Sequence, residues 1–171
     1  VFLHKLGDSS TNDRAVFGHD VNKSLQVDSK LLPFPYVPAG SKFAFILVNT
    51  GVSPNSEIYS VGFEDLNQPE IPWRKIVDLK DEVSGLALSG DDLYLLTYKN
   101  APRFKVIKTS LQKPDLENPT TVIPQSEAVL TGITATSDAL IVQRNDGGIS
   151  RLQSAYLKTG KVKELKLPFE G

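Results

Sequence analysis

Short stretches in which apolar residues alternate with polar ones, or run unbroken for four to six positions, recur along the chain between clusters of Gly, Pro, Asn and Asp. That is the signature of strands separated by turns, and helical periodicity is hard to find. The pattern predicts strands at Val1–Leu6, Arg14–Phe17, Phe43–Val48, Glu57–Phe63, Arg74–Val77, Val83–Leu88, Leu93–Tyr98, Phe104–Thr109, Thr121–Ile123, Gly132–Ala135, Ala139–Gln143, Ile149–Leu157 and Val162–Leu165. In Leu93–Tyr98 both alternating sets are largely apolar, so this strand is expected at the centre of its sheet. Val162–Leu165, with Lys161, Lys163 and Lys166 around it, reads as a solvated outer strand. Leu32–Pro38 is Pro-punctuated and reads as a connection that tucks Phe34 and Tyr36 onto the core. The other reading is a ligand for a polyproline-binding module.

The strands repeat. Trp73–Asp78, Val83–Ser89, Asp92–Thr97 and Arg103–Leu111 have a second copy in Thr121–Pro124, Leu130–Thr136, Asp138–Gln143 and Gly148–Leu157. The offset is 46 from Ile76 to Val122, 47 from Leu86 to Ile133, 47 from Leu93 to Leu140 and 46 from Leu111 to Leu157. A weaker upstream copy places Phe43 50 residues before Leu93 and Ile58 46 before Phe104. Four short strands in a period of roughly 46–50 residues are a β-propeller blade, which cannot bury both faces without neighbours. The fold class expected is therefore all-β: a propeller fragment of roughly three to four four-stranded antiparallel blades. The periodic frame spans about 20–66, 67–114 and 115–160, with flanking strands, inside a single partial propeller over 1–171. A Greek-key sandwich is the competing architecture, but it has no reason to repeat at this period.

Composition narrows the function. The 171 residues carry 19 Lys and Arg against 20 Asp and Glu, for a net charge of −1, with no Cys, no Met and one Trp. Without a basic excess the chain lacks the footprint that phosphate-backbone binding needs, so no nucleic-acid partner is expected. The longest apolar run, Phe43–Val48, is far short of the roughly 20 residues of a membrane span. The opening Val-Phe-Leu-His-Lys has neither an initiator Met nor a signal-peptide layout, and reads as the start of a segment cut from a longer product. The compartment, cytoplasmic or periplasmic, stays open.

Candidate chemistry is sparse. Without Cys there is no thiolate nucleophile and no Cys-bound metal, and no cofactor or metal is expected. His4 and His19 are the only histidines; either, with Asp8, Asp13 or Asp20, could form a dyad or a metal site, but the spacing favours structural roles. No G-x-S-x-G elbow, P-loop or dinucleotide fingerprint occurs. Asp91-Asp92 and Asp146-Gly147-Gly148 superficially resemble calcium or sugar loops and are better read as turn chemistry. Trp73, at the start of a repeat, reads as a packing residue.

Asp92-Leu-Tyr-Leu-Leu-Thr-Tyr-Lys-Asn-Ala-Pro-Arg-Phe-Lys-Val-Ile107, followed by Thr121-Val-Ile-Pro-Gln125, resembles a propeller blade of the prolyl oligopeptidase family of serine peptidases. The opening Val1-Phe-Leu-His-Lys-Leu-Gly-Asp-Ser-Ser-Thr-Asn-Asp13 is similar to that family's strand ending in His-x-Leu-Gly-Thr, and the likeness runs colinearly to Lys158–Pro168. The resemblance implies a seven-bladed propeller capping a covalently linked α/β-hydrolase domain, which carries the Ser, Asp and His of the triad beyond Gly171. The propeller then admits short peptides and excludes folded proteins, and this segment itself has no catalytic residue. Some members line the substrate site with an Arg and a Cys from one propeller strand end. The matching stretch Leu47–Pro54 places Asn49 and Val52 there while keeping Gly51 and Pro54, which departs from post-proline contacts. A non-enzymatic ligand- or protein-binding propeller is the alternative function. An isolated fragment with open edges is expected to self-associate.

Overall fold

A computed structural model describes residues 1–168 of the chain. The strands are β1 (Phe2–Leu3), β2 (Arg14–Ala15), β3 (Leu32–Tyr36), β4 (Phe43–Asn49), β5 (Glu57–Gly62), β6 (Arg74–Val77), β7 (Val83–Ser89), β8 (Asp92–Thr97), β9 (Lys105–Ser110), β10 (Thr120–Ile123), β11 (Val129–Ala135), β12 (Ala139–Asp146), β13 (Ile149–Tyr156) and β14 (Val162–Leu165). Short 3-10 turns are the helical elements among the described residues. Hydrogen bonding groups the strands into a two-stranded sheet, β1-β2, and three four-stranded antiparallel meanders, β3-β4-β5-β6, β7-β8-β9-β10 and β11-β12-β13-β14. Each meander closes on its fourth strand, so β6 and β10 are bonded to the strands before them. The periodic frame of the sequence is cut one strand earlier. As its two-sided apolar pattern demands, β8 lies between β7 and β9 with Leu93–Thr97 buried.

One strand escaped the sequence reading. Leu32–Tyr36 is not a connection onto the core but the edge strand of its sheet, and Phe34 and Tyr36 are 51% and 42% exposed. Pro33 and Pro35 are two apart, so both can turn their missing N–H away from β4 while Leu32, Phe34 and Tyr36 keep theirs for the ladder. The same prolines blunt the open edge against further pairing.

The chain divides into two compact units, Val1–Asp78 and Leu79–Gly171. In the first, alternation on β4 and β5 puts Ala44, Ile46, Val48, Tyr59 and Val61 on one face, where they meet Val16, Phe17, Val27, Ile71 and Trp73. Phe17 is fully buried, with Tyr59 and Trp73 edge-on to it at 5.0 and 5.4 Å between ring centroids. The Trp73 indole N–H donates to the Val16 carbonyl at 2.9 Å. The Arg14 guanidinium bonds the Gln68 and Leu66 carbonyls, fastening the β1-β2 hairpin to the same sheet.

In the second unit two sheets pack face to face over Ala87, Tyr94, Leu96, Val106, Ile123, Leu130, Leu140, Val142 and Ala155. Their backbones come closest at the first strands, β7 and β11. Sheets that converge at the first strand and diverge outward have the wedge geometry of propeller blades. The sequence repeat acquires a physical cause here. Val83-Ser-Gly-Leu and Leu130-Thr-Gly-Ile both carry a β-bulge, with Gly85 opposite Leu96 and Gly132 opposite Gln143. A Cβ on either glycine would sit at ordinary van der Waals distance, 3.4–3.7 Å, from the facing side chain, so it is the bulge and not crowding that the two inner strands share. The Leu111 and Leu157 N–H groups donate to the Asp91 and Asp138 carbonyls at 2.8 and 2.9 Å, so each meander is tied off in the same way.

Candidate substrate-facing loop

In a four-stranded meander the loop between the second and third strands leaves at the end opposite the first turn. In the first unit that loop is residues 50–56, between β4 and β5, and it holds both residues singled out in the sequence. Asn49 ends β4 and spends its amide on the loop: Oδ1 accepts from Gly51 N–H at 2.8 Å and Nδ2 donates to Ser56 Oγ at 3.3 Å. Thr50 Oγ1 accepts from the N–H groups of Val52 and Ser53 at 3.4 and 3.1 Å, and the Ser53 hydroxyl donates to Asn55. Gly51 supplies a φ of 79°, which a side chain there would resist. The result is a self-braced turn that leaves Val52 93% exposed. Chemically it offers an apolar side chain at its tip and a neutral amide at its base; the Thr50, Ser53 and Ser56 hydroxyls are hydrogen-bonded within the turn, and residues 50–56 hold no ionisable side chain. A cleft of about 800 Å3 in the first unit lies elsewhere, between Val21–Leu25 and Gln68–Trp73 at the opposite end of this sheet.

The remaining sequence candidates lie apart from this loop. His4 Nδ1 pairs with Asp13 Oδ1 at 2.6 Å across the exposed β1-β2 hairpin, and His19 Nδ1 donates to the Val27 carbonyl at 2.6 Å. Among the described residues no group of three or more His, Asp or Glu is placed to hold a cation. Asp146-Gly147-Gly148 is the β12-β13 hairpin, with Gly147 and Gly148 at φ 60° and 92°, the pair of positive angles a tight two-residue turn requires. Among the described residues no helix is long and apolar enough to cross a membrane.

A motif the sequence reading missed occurs twice: a carboxylate, a tyrosine two residues on along the same face, and a lysine opposite the tyrosine on the next strand. Tyr59 Oη donates to Glu57 at 2.8 Å and Lys75 Nζ bonds Glu57 at 2.5 Å, lying 5.5 Å from the Tyr59 ring centre. In the second unit Tyr94 Oη meets Asp92 at 3.4 Å and Lys108 Nζ meets the same carboxylate at 3.2 Å. Asp/Glu-x-Tyr is visible in the chain, but the lysine partner depends on register. Burial pushes both tyrosines up to about 12, helped by the neighbouring carboxylate. Burial pulls Lys75 down, but its bonds to Glu57 and Tyr59 outweigh that and raise it to about 12. These groups are proton holders and not bases at neutral pH.

All three bind their proton more tightly folded than unfolded. The stability they contribute is complete below about pH 10 and lost as pH climbs from about 10 to 12. The urea midpoint should therefore fall across that window, and fall less steeply in a Tyr59→Phe, Tyr94→Phe double variant. An equal fall in both proteins would remove the tyrosines as its cause.

The prolyl oligopeptidase N-terminal β-propeller domain family matches residues 1–171. A prolyl endopeptidase from Elizabethkingia miricola is 26% identical over 172 residues, and one from Elizabethkingia meningoseptica is 27% identical; each alignment covers all of this chain and 23% of the longer protein. The chain thus spans about a quarter of the length of these relatives. Among solved structures, prolyl oligopeptidase B from Galerina marginata bound to a 35mer hydrolysis and macrocyclization substrate superposes with a TM-score of 0.79 at 21% identity, over 99% of this chain and 23% of that one. One of two prolyl endopeptidases studied for inter-domain dynamics in catalysis and specificity gives 0.79 at 22% identity, over 99% and 24%. The repeat, the wedge of paired meanders and the end-to-end match agree: the chain belongs to the prolyl oligopeptidase N-terminal β-propeller domain family.

Proposed function

We propose that this segment is the propeller portion of a serine endopeptidase of the prolyl oligopeptidase kind, limiting which peptides reach a catalytic α/β-hydrolase domain on the same polypeptide. The observation that carries this reading is the unbroken match over 1–171 to proteins of which it forms less than a quarter. The segment contributes no triad residue. Its work is to exclude bulky chains and to offer contacts at the open end of its sheets. Val52 is the first such contact, because an apolar side chain held 93% exposed on a braced turn gains by desolvation against an apolar peptide group. Asn49, occupied within the turn, acts by holding Val52 in place and brings no charge to the substrate.

The test uses the full-length protein encoded around this segment. A serine-reactive phosphonate should label it, short peptides should be cleaved and folded proteins left intact. Val52→Asp should raise KM for apolar peptides roughly five- to tenfold with kcat little changed, the effect of losing about 1–1.5 kcal/mol of uniform binding. Absence of labelling and turnover would leave a binding propeller as the function.

A further inference from the structure

The two ends of the second unit are built differently. β12 and β13 are joined by the two-residue turn Gly147–Gly148, whereas the equivalent connection one sheet earlier, β8 to β9, takes residues 98–104. Asn100 and Phe104 in that loop adopt φ of 54° and 64°, and Glu82, whose carbonyl accepts from Tyr98 N–H at 3.1 Å, adopts 53°. These are the non-glycine residues of this unit with left-handed backbone among the described residues, and all lie at one end. Phe at positive φ is an outlier that persists only where its surroundings impose it. The opposite end is made of ordinary turns at Gly90, Asp115 and Thr136.

The surroundings do impose it. Thr97 Oγ1 donates to the Asp81 carbonyl at 2.8 Å and Lys99 Nζ pairs with the Asp81 carboxylate at 3.3 Å. The Phe104 N–H bonds the Ala101 carbonyl at 2.7 Å, and its ring packs edge-on to Tyr98 at 5.4 Å. Arg103 reaches the next connection twice and strand β11 once. Its N–H donates to Gln125 Oε1 at 2.9 Å, its carbonyl accepts from Leu130 N–H at 3.1 Å, and its guanidinium meets Glu127 at 2.5 Å. The Glu127 side chain is 98% exposed, and an ion pair that open contributes little to folding. Asn100, Pro102 and Arg103 stand exposed on this rigid, strained tip.

We infer that the loop of residues 98–104, with the connection 124–128, is a preorganised docking edge for the catalytic domain of the same polypeptide. It engages carboxylate and carbonyl oxygens on that domain through the Asn100 amide and the Arg103 guanidinium. The inference rests on the proposed function, under which most of the polypeptide lies outside this segment, as in the relatives of which it is 23%. Holding the tip rigid before contact removes the ordering cost of the interface, and an ion pair weak in water strengthens when a partner desolvates it.

Lysine-directed cross-linking of the full-length protein tests the geometry. Lys99 and Lys105 should link to the catalytic domain, while Lys158 and Lys161, at the other end of this unit, should not. Arg103→Glu should lower kcat/KM about tenfold, and the charge swap Arg103→Glu with Glu127→Arg should fail to restore it, because the swap repairs the internal pair but not the docking contact. Asn100→Gly, which relieves the left-handed backbone while deleting the amide, should also lower kcat/KM about threefold without lowering the urea midpoint. Cross-links from Lys158 and Lys161 alone, full rescue by the swap, or unchanged kcat/KM in Asn100→Gly would each overturn the docking edge. Failure of the underlying reading looks different: a full-length protein that no serine-reactive probe labels.

Discussion

Trp73→Ala should be among the most destabilising single substitutions in the first unit, costing about 3–5 kcal/mol. Three losses combine. The indole is 7% exposed, so its removal opens a cavity beside Phe17, Ile71 and Val16. Its edge contact with Phe17 goes, and with it one side of the Tyr59–Phe17–Trp73 stack. The Val16 carbonyl, buried with the indole N–H as its partner, is left to find water or stay unpaired. Trp73→Phe keeps most of the volume and loses the hydrogen bond, so it should cost distinctly less, by about 1–3 kcal/mol. Urea unfolding followed by far-ultraviolet circular dichroism measures both, since the only Trp fluorophore is removed in each. Equal costs for the two variants would show that the hydrogen bond, and not the volume, carries the contribution of Trp73.

Leu140→Ala should be comparably severe in the second unit, at about 2–5 kcal/mol. Leu140 is fully buried among Leu130, Val142, Tyr94 and Leu96, where the two sheets meet, and neighbours anchored in two separate ladders cannot collapse into the space it leaves. Leu140→Met conserves volume and should cost under about 1.5 kcal/mol. The midpoint of chemical unfolding of each variant decides the matter. A loss from Leu140→Ala no larger than that from Leu140→Met would mean that the two sheets are not packed through this residue.

Strand identity and repeat were legible in the chain because both rest on local rules: alternation, β-branched residues and turn-forming Gly, Asp and Asn. The Val/Leu-Ser/Thr-Gly pattern at Val83–Gly85 and Leu130–Gly132 is legible for the same reason, since it is the local chemistry of a bulge repeated in each inner strand. Leu32–Tyr36 was misread because proline is a breaker in every central strand. Only the tertiary arrangement makes this strand an edge, where alternate missing N–H groups cost nothing. Asn49 and Val52 could be located by resemblance, but that the amide is consumed inside the turn while the valine stands free depended on the path of residues 50–56.

What the sequence by itself determined is therefore the periodic content of the fold: all-β, four strands to a repeat, with Leu93–Tyr98 central and Val162–Leu165 outermost in their sheets. What only the tertiary structure decided is everything that joins residues distant along the chain. This includes the lysine partners of Tyr59 and Tyr94, the indole bond to Val16, and the Arg103 bridge from one sheet's loop to the next connection. The physical reason is range. Alternation and turn propensity act over a few residues and are written in each short stretch, whereas a cross-strand pair or a strained loop exists only once register and packing have set which side chains face each other.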